Sequence, residues 1–257
     1  MNSAVVRVTE SARLYGETHV LWMELPEKFQ NATPGQFVMT YVGEHDDPLL
    51  GRAFSFHRFR DGAAGREFAV LFDVVGRGTG WLSRRTPGDS VRFIGPLGKG
   101  YQPRSGVQRM LLVGGGIGCA PLVWLAETLV EQGREVTLVL GGRGEQQVYP
   151  ARLLPPAVEV IVTTDDGSAG ERGLVTEPFE RLLPWCDQAF ACGPNPMFEA
   201  LHGVLRRSAL NKPVQALVEA PMACGMGICY SCAVFPARGG VKLVCRDGPM
   251  FDLRDLY

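Results

Sequence analysis

Leu111–Leu122 reads LLVGGGIGCAPL: an apolar run, a cluster of glycines, then apolar residues again. Met110–Val113 is short and uncharged, as a strand buried on both faces is, and Leu122, Leu125, Ala126 and Leu129 then recur at helical spacing within Pro121–Val130. Gly114, Gly115, Gly116 and Gly118 fill the turn between strand and helix. Such a turn lets a dinucleotide pyrophosphate approach the backbone and meet the positive end of the helix. The spacing is not a strict G-x-G-x-x-G, and any tight reversal favours glycine, so the later strands must carry part of the argument.

Those strands are predicted at Val136–Leu140, Val158–Val162, Ala189–Cys192 and Val214–Val218, with a further helix over Pro196–Ser208. Strands alternating with helices predict a parallel sheet covered on both faces. TTDDGSAGERG at Thr163–Gly173 and ACGPNP at Ala191–Pro196 follow two of them, so three glycine-bearing loops gather at the carboxyl edge where this architecture binds ligands. Arg143, after Gly141-Gly142, is a candidate for a cofactor 2′-phosphate, weighed against a plain surface arginine.

Upstream of Arg109 the pattern differs. Ala4–Thr9, His19–Leu25, Gln36–Val42, Arg52–Phe59, Glu67–Val75 and Ser90–Ile94 read as short strands, punctuated by Pro34-Gly35, Asp61-Gly62 and Pro87-Gly88-Asp89. With no good helical stretch among them, they predict a small antiparallel barrel. Arg52-Ala53-Phe54-Ser55 opens one strand, and Gly76-Arg77-Gly78-Thr79 follows another. An arginine and a hydroxyl can serve phosphate and flavin-ring polar atoms while the aromatic between them packs on a ring.

Beyond Glu219 the text is MACGMGICYSC, and Cys224, Cys229, Cys232 and Cys245 follow the order C-x4-C-x2-C-x12-C. The first three match the plant-type spacing for a [2Fe–2S] cluster. Cys229 and Cys232 alone suit a redox dithiol, but two more cysteines accompany them. Structural zinc sites usually pair two short knuckles, and one is present. Disulfides are disfavoured by the odd total of seven cysteines. Of the remaining three cysteines, Cys119 and Cys186 read as small buried side chains, and His57 and His202 read as surface or packing residues.

A 257-residue chain that is 46% hydrophobic and 21% charged has room for two compact domains and an appendage. Its formal net charge of -1 gives no electrostatic case for nucleic acid. Met110–Ala126, the longest uncharged run, is broken by four glycines and Pro121, which argues against a membrane span. The opening MNSAVVRVTE lacks a basic segment followed by an apolar one, so a reducing cytoplasm is expected.

RAFS at 52–55, GGGIG at 114–118, ACGP at 191–194, EAPMACGMGICYSC and VCRDGPMF together resemble the electron-transfer subunits of NAD-dependent (class 1B) dihydroorotate dehydrogenases, within the ferredoxin reductase superfamily. The resemblance covers nearly the whole chain, and the cluster segment is its most specific part. It implies an FAD-binding β-barrel over 1–103, an NAD-binding α/β domain over 104–218 and a [2Fe–2S] segment over 219–257. FAD would be held by Arg52, Ala53, Phe54, Ser55, Leu71, Phe72, Asp73, Gly78 and Thr79. The nicotinamide nucleotide would be held by Gly114, Gly115, Gly116, Gly118, Cys192 and Gly193, and the cluster by Cys224, Cys229, Cys232 and Cys245. The family commonly has proline where Ala53 stands and a basic residue where Asp73 stands. Tyr257 is expected as a tail, not as a flavin-stacking aromatic.

The implied activity is a relay. A partner subunit oxidises dihydroorotate on its FMN, in a heterotetramer with two of each subunit. Electrons cross singly through the cluster to FAD, which reduces NAD+. No catalytic acid or base is assigned here, so the dihydroorotate site falls to the partner. The alternatives are the small subunit of a cytoplasmic hydrogenase, a subunit of a bifurcating ferredoxin:NADP+ oxidoreductase, or a non-catalytic redox sensor.

Overall fold

The computed structural model describes residues 3–43, 47–63 and 65–257. Among them, six strands close an antiparallel barrel: β1 (Ser3–Tyr15), β2 (Thr18–Glu24), β3 (Phe37–Tyr41), β4 (Arg52–Gly62), β5 (Gly65–Asp73) and β6 (Ser90–Leu97). They lie in the order β1-β2-β5-β4-β3-β6, so no strand edge is left open. Phe68, Val70 and Phe72 of β5 enter the barrel core beside Leu21, Met23, Val38 and Phe56. The intervening Ala69 and Leu71 point outward and are as deeply buried.

One short helix, α1 (Arg77–Ser83), interrupts the barrel where the sequence predicts none. Two glycines in its first turn give it poor intrinsic propensity, which hides it from a periodicity reading. Its start is held instead by Thr79, whose Oγ1 accepts from the Val75 and Gly76 amides at 2.9 and 3.2 Å, and by fully buried Leu82.

The second layer is a sheet of β7 (Arg109–Gly115), β8 (Glu135–Gly142), β9 (Val158–Thr164), β10 (Glu171–Arg172), β11 (Gln188–Cys192), β12 (Val214–Leu217) and β15 (Met250–Asp252). Its order is β10-β9-β8-β7-β11-β12-β15, parallel except for the last pair. Helices α2 (Cys119–Glu131), α3 (Thr176–Leu182) and α4 (Asn195–Ser208) cover it. Leu111 and Val113 of β7 pack with Phe179 of α3 and Phe198 and Leu201 of α4, while Met110 and Leu112 pack with Leu122 and Leu125 of α2. Helices therefore lie on both faces, as the alternation predicts. Strand β15 was not foreseen; its antiparallel pairing brings the chain back to this sheet after the cysteine segment. That segment holds the two-stranded β13 (Ala233–Val234) and β14 (Lys242–Leu243) and helix α5 (Val244–Asp247), and helix α6 (Leu253–Leu256) ends the chain.

Barrel and sheet share side chains. Val20, Trp22, Ala69 and Leu71, outward from β2 and β5, join the core beneath α2. His57 of β4 is buried in the same seam, where its Nδ1–H donates to the Ala120 carbonyl at 2.8 Å. Burial pushes its imidazole down to about 4, so it is neutral near pH 7. Phe37 and Met39 of β3 instead join a core with Cys232, Leu243, Val244 and Cys245. Tyr257 is no loose tail: its ring lies 5.9 Å from that of His202 on α4.

Across the amino edge of the sheet, Asp187 accepts from the Gln108 and Arg109 amides at 3.0 and 2.8 Å and from the Arg109 guanidinium at 2.9 Å. These bonds hold its carboxyl well below the usual carboxylate range. Asp187→Ala should cost about 2 kcal/mol near pH 7, the scale of hydrogen bonds to a charged acceptor, read from the urea midpoint. A folded-state pKa below the unfolded value of about 3.9 gives stability that is present above that value and lost as pH falls through the folded one. The difference between wild type and variant should accordingly shrink below about pH 4.

Candidate cofactor clefts and cysteine loop

The carboxyl edge of the sheet faces the barrel across a cleft of about 790 Å³. Arg52, Ala53, Phe54 and Ser55 at the start of β4 form one wall, and Leu71, Phe72, Asp73 and Thr79 continue it. Gly118, Cys192 and Gly193 form the opposite wall. The Phe54 and Phe72 ring centroids lie 5.5 Å apart at a 50° tilt, and half-buried Phe54 gives the cleft an aromatic surface backed by buried Phe72. The Arg52 guanidinium donates to the Leu50 carbonyl at 2.8 Å. It lies over Gly78, where an added Cβ would come within 2.4 Å of Arg52 Nε. Gly78 thus serves by making room for Arg52 and does not itself line the cleft. Thr79 caps α1, and Asp73 accepts from Thr18 Oγ1 at 2.5 Å.

A second cleft, of about 700 Å³, adjoins the first and shares Asp73, Val75, Ile117 and Pro194 with it. Gly115 and Gly116 lie on its floor, and Gly142, Arg143, Thr163 and Asp165 close its far end. The glycines divide the work. Gly116 has φ +56° with open space where a Cβ would project, leaving its backbone free to meet a ligand. Gly118 is needed for packing, since a Cβ there would lie 2.3 Å from the Cys192 carbonyl oxygen. Gly114 faces Cys119 and Leu122 and lines neither cleft. All three glycine-bearing loops named from the sequence reach one of the two clefts.

Several lining residues escaped sequence reasoning. Thr163 lines the second cleft but is only 1% exposed, and its Oγ1 is buried behind the wall with no partner. Glu219, Ala220, Pro221 and Met222 line the first cleft and lead directly into Cys224. Burial raises the Glu219 carboxyl, and burial, with the Glu219 charge adding to it, raises the Cys192 thiol, so Cys192 is a neutral wall of the cleft. In the sequence this strap shows only as the EAPM that opens the cysteine-segment motif, with no residue marking it as a cleft wall.

In the loop that follows, Cys232 and Cys245 lie with sulfurs 3.3 Å apart, both buried, while Cys224 is half-buried and Cys229 exposed. Amides converge on the sulfurs: Gly227 donates to Cys245 at 3.1 Å, Met226 and Cys229 to Cys224 at 3.4 and 3.5 Å, and Cys245 to Cys232 at 3.5 Å. Hydrogen bonds from Ser231 lower the Cys229 thiol to about 6. Among the described residues no three Cys, His, Asp or Glu side chains form a single-ion site. A buried pair and an outer pair, ringed by amide donors, fit a two-iron cluster better than one tetrahedral zinc. Among the described residues no helix is long and apolar enough to cross a membrane.

Comparison with known proteins agrees with this geometry. Residues 219–257 match the family described as the iron-sulfur cluster binding domain of dihydroorotate dehydrogenase B. The dihydroorotate dehydrogenase B (NAD(+)) electron transfer subunit of Desulforamulus reducens is 36% identical over 240 residues, 91% of this chain and 90% of that one. That of Geobacillus sp. strain WCH70 is 40% identical over 223 residues, 85% of this chain and 84% of that one. Among solved structures, an NADH-dependent reduced ferredoxin-NADP oxidoreductase studied for flavin-based electron bifurcation superposes with a TM-score of 0.85 at 28% identity, covering 99% of this chain and 90% of that one. A ferredoxin reductase of carbazole 1,9a-dioxygenase shares the fold, with a TM-score of 0.68 at 21% identity over 82% of this chain and 67% of that one. With relatives this similar along almost its full length, the chain belongs to the family of electron transfer subunits of dihydroorotate dehydrogenase B (NAD(+)).

Proposed function

We propose that this chain carries electrons from the FMN of a dihydroorotate-oxidising partner subunit to NAD+, in the cytoplasm, as part of pyrimidine biosynthesis. The observation that carries the reading is continuity: the strap Glu219–Met222 lines the first cleft and runs into Cys224, and the second cleft opens from the first. Bound FAD supplies the chemistry that joins a two-electron nicotinamide to a one-electron iron-sulfur cluster.

In this reading the barrel unit, 1–103, holds FAD with Arg52–Ser55, Leu71–Asp73 and Thr79 as its wall, and Gly78 leaves room for Arg52. The unit 104–218 holds NAD, with the Gly116 backbone at the pyrophosphate, Gly118 and Gly193 beside the nicotinamide, and Cys192 as neutral packing. Asp165 is the acidic residue placed to accept from a ribose hydroxyl. Cys224, Cys229, Cys232 and Cys245 hold the cluster in the unit 219–257, and exposed Cys229 turns toward the partner. The assembly is taken as a heterotetramer of two subunits of each kind.

The resemblance to the bifurcating oxidoreductase supports a second reading, in which the partner handles NADP and ferredoxin chemistry. Co-purification with the partner and assay with dihydroorotate and NAD+ separates the two. Orotate-linked NADH formation is expected, and its absence from a fully flavinated complex sinks the first reading. In that complex, Cys229→Ser should lower dihydroorotate-dependent turnover by at least about tenfold while NADH reduction of a dye at the flavin changes by less than about twofold. Thr163→Val should leave NADH binding within about twofold, by calorimetry, because the buried hydroxyl is closed to the cleft. Its melting temperature should stay level or rise, because an unmet buried hydroxyl is removed.

A further inference from the structure

At the middle of β3 stands Met39, fully buried and a lining residue of neither cleft. The two ends of its side chain face different functional parts of the molecule. Its Cε lies under Gly51, where an added Cβ would come within 2.9 Å, and Gly51 lines the first cleft. Its Cγ and Sδ lie against Gly225, where an added Cβ would come within 2.5 and 3.2 Å. Gly225, at φ +70°, directly follows Cys224. Strand pairing also sets Met39 opposite Ala53, another residue of the cleft wall. One side chain therefore separates the RAFS strand from the cysteine loop and touches both. Each contact is to a glycine, so the two backbones sit as close to Met39 as they can.

We propose that Met39 is a spacer: a positioning residue that fixes the separation between the flavin-binding cleft and the cluster-binding loop, and through it the rate of electron exchange between the groups they hold. This rests on the functional reading above. One electron leaves one group and arrives at the other; no bond to Met39 forms or breaks, and its thioether is neither oxidised nor reduced. Electron exchange falls steeply with distance, so a displacement well under the width of an atom is felt. An unbranched, three-torsion side chain suits a gap that must be followed at both ends. An ordinary core methionine accepts leucine at small cost. Here leucine would branch at Cγ, the atom facing Gly225, and would give up the Cε reach to Gly51.

The test uses the full chain, with flavin and cluster bound, in complex with its partner, as wild type, Met39→Leu and Met39→Ala. Iron, acid-labile sulfide and flavin content are measured first. NADH is then mixed in a stopped-flow instrument, and bleaching of the flavin and cluster bands is followed separately. Hydrogen exchange at amides 224–229 is measured on the oxidised protein without NADH. We expect both variants to keep flavin and cluster and to bleach the flavin band at the wild-type rate. The cluster band should bleach about tenfold more slowly, the scale of effect when a site loosens by a fraction of an ångström, and the loop amides should exchange faster. Wild-type cluster bleaching in a variant that retains its cluster overturns the proposal, as does unchanged amide exchange. Loss of the cluster in both variants also overturns it, because Met39 would then serve only the folding of the loop. A wild-type flavin that NADH does not bleach sinks the functional reading instead, and the exchange measurement still decides the spacing.

Discussion

Strands β2, β3 and β5 are buried on both faces, and the rest of the molecule hangs on that. A small barrel usually presents its outer face to water; here alternate residues carry one core inward and another outward. Leu21, Met23 and Phe68 fill the barrel while Val20, Trp22 and Leu71 fill the seam with α2. Val38 points inward while Phe37 and Met39 support the cysteine segment. Because successive side chains serve different cores, a shift of one residue in register would exchange them and break both. Barrel, sheet and cysteine loop are thereby fixed relative to one another without a long linker.

This arrangement explains why the clefts are walled mostly by backbone and apolar carbon. The polar groups near them are already engaged: Thr79 with the start of α1, Asp73 with Thr18, Arg52 with the loop carbonyls before it. Few side chains remain free to choose a ligand. Shape does much of the selecting in the first cleft, while Arg143 and Asp165 supply polar groups in the second. The acidic Asp73, where the family commonly has a basic residue, is accommodated by its bond to Thr18 and stands between the two clefts.

Local chemistry made much of this legible in the sequence. Gly114–Gly118 reads as a strand-to-helix turn because a tight reversal favours glycine, and the cysteine spacing reads as a cluster because ligand geometry dictates it. Short alternating or continuously apolar runs mark every strand longer than three residues. What could not be read was tertiary. Helix α1 contradicts the propensity of its own glycines, and β15 is too short to display a period. Thr163 looks like any strand threonine until its hydroxyl is found buried without a partner. Gly51 and Gly225 lie far apart in the chain, and nothing in either neighbourhood says that Met39 stands between them.

The hydrogen bond from the Val218 amide to the Pro249 carbonyl, at 2.9 Å, closes the cysteine segment at its base, where β12 meets β15. Topologically the segment is an excursion from a sheet edge whose two ends are pinned side by side. Its closure is supplied by the sheet, not by iron, and loop-closure entropy grows only slowly with length. An electron outlet mounted in this way can be lengthened, exchanged or removed in evolution without rethreading the domain that carries it, so a reductase and an electron-transfer subunit can differ by the contents of one loop.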